Sequence, residues 1–348
     1  QVVEAFTAQD YPGIYRVTFV TESAVDPAAA VIQRMAQCES HVSHCVAGLA
    51  EGCGQKNHNL LAAIRTDRGS DVFAFADADV LVEKNWLKVL IQPLTLGDRY
   101  LATGLPCARL NQLSHAQCLE MAYTGYQSKF LVAIKEIWGG TFAIWRKTME
   151  EIGGTEMWSS TLADDISLSQ RVRHYNRSAQ QHDVLRIFPL PDLPADIPTR
   201  ADSISGLMNW FVRQILSIRY YRRFVWQTAV CVNVLQTVMI VSAPFLLWFG
   251  NTPELRHIGW TLLWFYVFLV CINWLQALLF HSKDLNHWLW FQTCLIGDFI
   301  ASLCLVRSVF KRGVLWAGIF YDLDRNGKVL SVEHPQKSPL AELPTARS

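Results

Sequence analysis

Charge is scarce in this sequence. Asp, Glu, Lys and Arg make up 18% of its 348 residues, and the two signs cancel to a net +1. A chain without a basic surplus has no electrostatic footprint for a nucleic acid, so that partner is set aside. The nine cysteines include no Cys-x-x-Cys pair, which argues against a zinc site and for reduced thiols in a cytosolic setting. His41-x-x-His44-Cys45 is the one tight group of softer ligands, and a strand with its edge explains it better than a metal does. A starting Met and a secretion signal are also lacking. The chain opens at Gln1, which reads as a fragment or a processed chain.

Apolar residues take the place of charge. They reach 51%, with 13 Trp, which is more than a soluble domain usually carries. The excess is uneven. Residues 1–222 have the composition of a soluble α/β domain. Three apolar runs follow, at about 224–249, 258–280 and 288–310. Each is long enough to span a bilayer, and their Trp residues gather near the ends as interfacial anchors do. Cys231, Cys271, Cys294 and Cys304 lie inside them. Basic residues precede the first run (Arg219, Arg222, Arg223) and follow the last (Lys311, Arg312). Three spans would put these ends on opposite sides. The third run also carries Asp298 and Arg307, which are costly in lipid, so it is re-entrant, interfacial or packed in a bundle.

Within 1–222, strand and helix patterns alternate, as in a parallel, doubly wound sheet. Residues 15–21 are β-branched and aromatic and end at Glu22. Asp26-Pro27-Ala28 opens a helix. A second strand, 42–48, leads to the loop Glu51-Gly52-Cys53-Gly54-Gln55-Lys56, whose glycines and Lys at a helix start suit a phosphate or simply make a turn. Residues 71–76 form a short apolar strand that runs straight into Asp77-Ala78-Asp79, with a helix from Glu83. Open α/β sheets bind ligands outside the carboxyl ends of their strands. Two carboxylates there either cap the next helix or hold a hard cation that bridges phosphates. Further on, Trp138-Gly139-Gly140-Thr141 precedes a strand; its glycines allow close backbone approach to a ligand or make a bulge. Ala163-Asp164-Asp165 opens another helix, either to suit the helix dipole or to poise a general base. A strand at 182–188 and a proline-rich connection at 189–198 follow. Residues 204–223 form a basic amphipathic helix suited to a membrane surface.

Taken in order, these motifs resemble membrane-bound family 2 glycosyltransferases, and are most similar to the ceramide glucosyltransferase-like branch. Gln9-Asp10-Tyr11-Pro12, residues 15–20, Asp26-Pro27-Ala28, Gly54, Lys56, Asn59, Leu60 and Trp316-x-Gly318-x-x-Tyr321 carry the likeness to that branch. The resemblance implies an α/β fold: a GT-A-like, doubly wound, mostly parallel sheet followed by C-terminal transmembrane or membrane-embedded helices. It implies a catalytic domain at 1–200, an interfacial helix at 201–223, membrane helices at 224–310 and a cytosolic tail at 311–348 with a disordered end.

It also implies roles. Glu22 falls near the nucleotide base, and Lys56 and Asn59 in the nucleotide-sugar loop. Asp77 and Asp79 fall at the metal and diphosphate site, for Mg2+ or Mn2+. Gly139, Gly140 and Thr141 line the acceptor side. Asp165 matches the catalytic base, with Asp164 beside it. The family's fourth motif keeps its first residue at Arg213 and loses Arg-Trp, for which Arg219-Tyr220 is the substitute. The family's opening apolar strand has no counterpart before Val2. The implied reaction is inverting transfer of glucose from UDP-glucose to a membrane lipid hydroxyl such as ceramide. The enzyme is expected to be integral to the membrane with its catalytic domain facing the cytosol. A polysaccharide synthase and a non-catalytic membrane protein that keeps the fold are the alternatives.

Overall fold

The structure, a computed structural model, describes residues 2–67, 69–109, 114–199, 201–280 and 287–335. A short helix α1 (Val2–Thr7) is followed by β1 (Val17–Thr21), α2 (Ala29–Cys38), β2 (Val42–Val46), α3 (Gln55–Thr66), β3 (Val72–Ala76), α4 (Trp86–Ile91) and β4 (Tyr100–Arg109). Then come α5 (His115–Ile134), β5 (Thr141–Trp145), α6 (Arg146–Glu151), α7 (Gly154–Trp158), α8 (Asp164–Ser178) and β6 (Arg186–Pro198). This is the α/β alternation expected. β1 and β2 pair in parallel; the larger sheet has the order β3-β5-β4-β6. β5 runs antiparallel between β3 and β4, while β4 and β6 are parallel, so β3, β4 and β6 share one direction. Ala76 pairs with Thr141. The end of β3 and the start of β5 therefore meet at one edge of the sheet.

Packing explains the apolar run in β3. Phe73 and Phe75 turn to one face, where Phe75 lies 4.8 Å from the Phe142 ring and 5.4 Å edge-on to Trp158. Leu168 and Val172 of α8 complete that core. The other face is covered by Val80, Trp86, Leu87 and Leu90, with Phe6 of α1 edge-on to Trp86. β6 departs from expectation. It continues through the prolines at 189–198 instead of ending at 188. It can do so because it is the outermost strand, where a missing N–H costs no ladder bond.

The chain then leaves the sheet through α9 (Ile204–Tyr221), α10 (Arg223–Phe249), α11 (Pro253–Phe280) and α12 (His287–Phe310). The last three are long and apolar enough to cross a membrane by length and composition. They are not alike. Only 6% of the apolar window of α10 is buried, against 22% for α12. α12 packs along the helices of the sheet domain. His115 of α5 meets Gln292, the Tyr123 hydroxyl donates to the Gly297 carbonyl, and Trp290 packs on Cys118 and Met121. Toward its end, Cys304 and Leu305 pack on Met208 and Val212 of α9.

Residues 314–333, expected as part of a tail, fold into a three-stranded antiparallel sheet: β7 (Val314–Trp316), β8 (Ile319–Leu323) and β9 (Val329–Glu333). Ala317 and Gly318 both take positive φ at the first hairpin, and Gly327 does so at the second. The expected disordered end, 336–348, lies outside the described residues.

Candidate active site

The edge where β3 ends and β5 begins gathers the charged residues. The Lys56 ammonium, in the first turn of α3, is 2.6 Å from Asp77 Oδ1 and 2.9 Å from Asp164 Oδ2. It also donates to the Gly139 carbonyl at 2.8 Å. The Gly139 N–H donates to Asp165 Oδ2 at 2.8 Å, and Asp165 Oδ1 accepts from the Ile166 N–H at 2.6 Å. Residues from four separate places in the sequence thus converge: Lys56, Asp77, Gly139 and the pair Asp164-Asp165. Space at their centre is tight, and a side chain there would have to displace the charged ends around it. A Cβ on Gly139 would lie 2.9 Å from Asp164 Oδ2 and 3.0 Å from both Asp165 Oδ2 and Lys56 Nζ.

Burial governs the electrostatics. Asp164 has a side chain only 3% exposed. Burial pushes its pKa well above the ordinary carboxylate range, partly offset by Lys56; neighbouring Asp165 and Asp77 push the same way. Asp165 is raised for the same first reason, while Lys56 and the N–H donors of Gly139 and Ile166 pull it back. Burial disfavours the Lys56 ammonium, but Asp164, Asp77 and Asp165 outweigh that and hold its pKa above the usual lysine value. One ammonium faces three carboxylates. The remaining negative charge is an attraction for a further cation.

The backbone around α3 holds Lys56 in register. Gly54 N–H donates to Thr161 O at 2.9 Å, and a Cβ on Gly54 would sit 2.1 Å from Leu162 O. Asn57, fully buried, donates its amide to Thr161 O at 2.8 Å. The start of α3 is thereby clamped to the residues just before Asp164-Asp165. Gly54→Ala should cost about 1–3 kcal/mol, since the clash is with backbone that cannot rotate away. Chemical denaturation of the purified protein would measure it; an unchanged midpoint would contradict this clamp.

Other expected site residues are placed elsewhere. Asp79 is half-buried two residues beyond Asp77. Gly140 supports the turn, its carbonyl accepting from Asp77 N–H at 3.0 Å. Thr141 is fully buried and its hydroxyl accepts from the Trp86 indole at 2.9 Å, so its side chain is not available to an acceptor. Asn59 accepts from Gln55, which in turn ties Gly48 and Ala50. Glu22 follows β1, near the Tyr321 phenol and outside the Lys56 group. The Arg213 guanidinium lies over the Trp316 ring at 5.2 Å. Arg219 donates to the carbonyls of Ser308 and Lys311. These two bonds close the end of α12.

Two tyrosines serve the site without having been expected there, although Tyr321 lies in a motif that carries the family likeness. Tyr221, at the end of α9, accepts from Leu162 N–H at 3.0 Å and donates to Gly327 O at 2.7 Å. Tyr321 of β8 accepts from Gln55 N–H at 3.2 Å. Together with the Val329 N–H, which donates to Ser160 O, they fasten the small sheet beside the carboxylate cluster. The alternating apolar residues around Ala317-Gly318 and Asn326-Gly327 were the available signal.

No curated protein matches the sequence. Among solved structures, the chain is similar to the crystal structure of GalNAc-T7 with UDP, GalNAc and Mn2+, at 11% identity and a TM-score of 0.37. The likeness covers 59% of this chain and 42% of that one, too slight to bear on donor or metal here. The decisive match is to a family model, glycosyl transferase family 21, over residues 1–329. That span takes in the carboxylate cluster, the basic helix α9, the apolar helices and most of the small sheet, and the chain belongs to glycosyl transferase family 21.

Proposed function

We propose that this glycosyltransferase moves a sugar, glucose from UDP-glucose by the family resemblance, onto a hydroxyl of a membrane lipid such as ceramide, with inversion. The observation that carries the reading is the convergence of Lys56, Asp77, Asp164 and Asp165 on the Gly139 backbone, beside a bundle of apolar helices. Burial raises the pKa of Asp165 above the ordinary carboxylate range, which makes it a stronger base than an exposed carboxylate. In the step proposed, the acceptor oxygen bonds to the anomeric carbon and its proton passes to Asp165. The bond from that carbon to the diphosphate breaks, releasing the nucleoside diphosphate. Lys56 holds Asp77 and Asp164 in place, and Gly139 leaves the space that a side chain would fill. The apolar helices let a lipid acceptor arrive by lateral diffusion.

A divalent cation fits the residues present. Asp77 and Asp79 offer oxygen donors of the kind Mg2+ or Mn2+ prefers, in a site with surplus negative charge. Among the described residues no three acidic, His or Cys side chains are placed to hold one ion, so such an ion would need donor phosphate oxygens to complete its shell. When bound, it would supply positive charge to the departing diphosphate. Asp79→Ala is expected to weaken metal-dependent binding of UDP-glucose by about tenfold or more. Equilibrium binding with Mn2+ and with EDTA checks it, and identical donor affinity in all four combinations would sink the metal reading.

Membrane placement follows the packing of α12. We read α10 and α11 as the spanning pair and α12 as a helix lying against α5 and α9 at the membrane face. The basic groups at Arg219–Arg223 and Lys311–Arg312 then fall on one side, which the positive-inside rule makes cytosolic.

A further inference from the structure

Five basic side chains meet where the sheet domain joins the first apolar helix. Arg173, His174 and Arg177 come from the second half of α8; Arg222 and Arg223 come from the junction of α9 and α10. With Phe224 they line a cavity of about 350 Å³. The positive charge there is poorly compensated. Glu136, its carboxylate 5% exposed, pairs with Arg173 and, at 2.9 Å, with Arg222. Arg177 and Arg223 are exposed and have no ion pair or hydrogen bond among the described residues. Of the four guanidiniums, two share one carboxylate and two have none; the planar forks of guanidiniums match phosphate oxygens.

The position says where such a phosphate would come from. α10 leaves the cavity as a 27-residue helix with almost no buried apolar surface, and Phe224 in its first turn is 80% exposed. A side chain of that kind enters lipid. The cavity then sits at headgroup depth, against the first turn of the span. No side chain caps that turn, so the first N–H groups of α10 have no side-chain acceptor there. We propose that this cavity binds the phosphate of an anionic membrane lipid. Arg173 and Arg177 lie on the same helix that begins with Asp164 and Asp165, so a bound headgroup holds that helix to the membrane surface. The proposal rests on α10 entering the bilayer and not on the transfer reaction, so it is tested without any sugar.

The test uses the full chain in phosphatidylcholine nanodiscs, titrated with dioctanoyl phosphatidic acid, dioctanoyl phosphatidylcholine or inorganic phosphate, with binding read by calorimetry. Phosphatidic acid should saturate one site, and the Arg177→Gln/Arg223→Gln double variant should bind it about 30-fold more weakly. Phosphatidylcholine should give no saturation. Inorganic phosphate should compete only at far higher concentration, because it lacks chains that insert beside Phe224. Equal affinity in parent and double variant would overturn the proposal, as would inorganic phosphate binding as tightly as the lipid. An unliganded melting curve shows whether the double variant folds; if it does not, Arg177→Gln alone carries the same comparison.

Discussion

Asp165→Asn is expected to lower the rate of sugar transfer by about 10²–10⁴-fold while leaving donor affinity within a few-fold of the parent. The size follows from what the change removes. Asparagine keeps the shape of the side chain and its Oδ1 can still accept from Ile166 N–H, so the start of α8 stays formed. The amide has no negative oxygen to take a proton. One local cost arises, because the Gly139 N–H now faces an amide where a carboxylate oxygen stood at 2.8 Å. With Oδ1 kept on Ile166 N–H, the amide NH2 stands at that place and the Gly139 bond is lost, worth about 1 kcal/mol. That is small beside the catalytic loss. Rates under saturating donor, alongside donor titration, separate the two. A variant that loses donor binding in step with rate would make Asp165 a binding residue and not the base.

Lys56→Met should be the most damaging single change to stability at the site. The parent lysine is the cation paired with Asp164, whose side chain is 3% exposed. Breaking a buried pair by removing one partner strands the other charge, at about 3–5 kcal/mol. Asp77 adds less, since its carboxylate is 36% exposed and water can take over. Asp164→Asn in the Lys56→Met background should recover much of the loss, because the stranded charge is then gone. Denaturation midpoints of the parent, the single variant and the double variant check this. Equal midpoints for the parent and Lys56→Met would mean that Asp164 is already neutral in the parent and that the ion pair carries no stability.

Much of the fold can be read in the sequence, and the physical reasons are visible residue by residue. Phe73 and Phe75 are apolar because they fill the face packed by Phe142 and Trp158, and that regularity exposes the strand. The acidic residues that follow it stand out because two charges come directly after an apolar run. The partner could be proposed only by likeness: nothing in the spacing of Lys56, Asp77 and Asp164 says that they touch. Short-range pattern also misleads where tertiary position overrides it. Prolines at 189–198 suggest a connection, yet an edge position lets them continue β6. The basic residues of α9 suggest phosphate contacts, yet Arg219 spends its donors on the end of α12. Tyr221 and Tyr321 act through hydroxyl contacts to backbone across the fold, and such contacts leave no periodic trace.

The central claim is that this family 21 chain transfers a sugar to a lipid through Asp165. Membranes carrying the protein, supplied with a panel of labelled nucleotide sugars with Mn2+ or EDTA, test it most directly when lipid and polymer fractions are extracted separately. The account predicts label in the lipid fraction, brightest from UDP-glucose, absent with EDTA and lost in Asp165→Asn. Label confined to the polymer fraction, or lipid label that persists in Asp165→Asn, would contradict it.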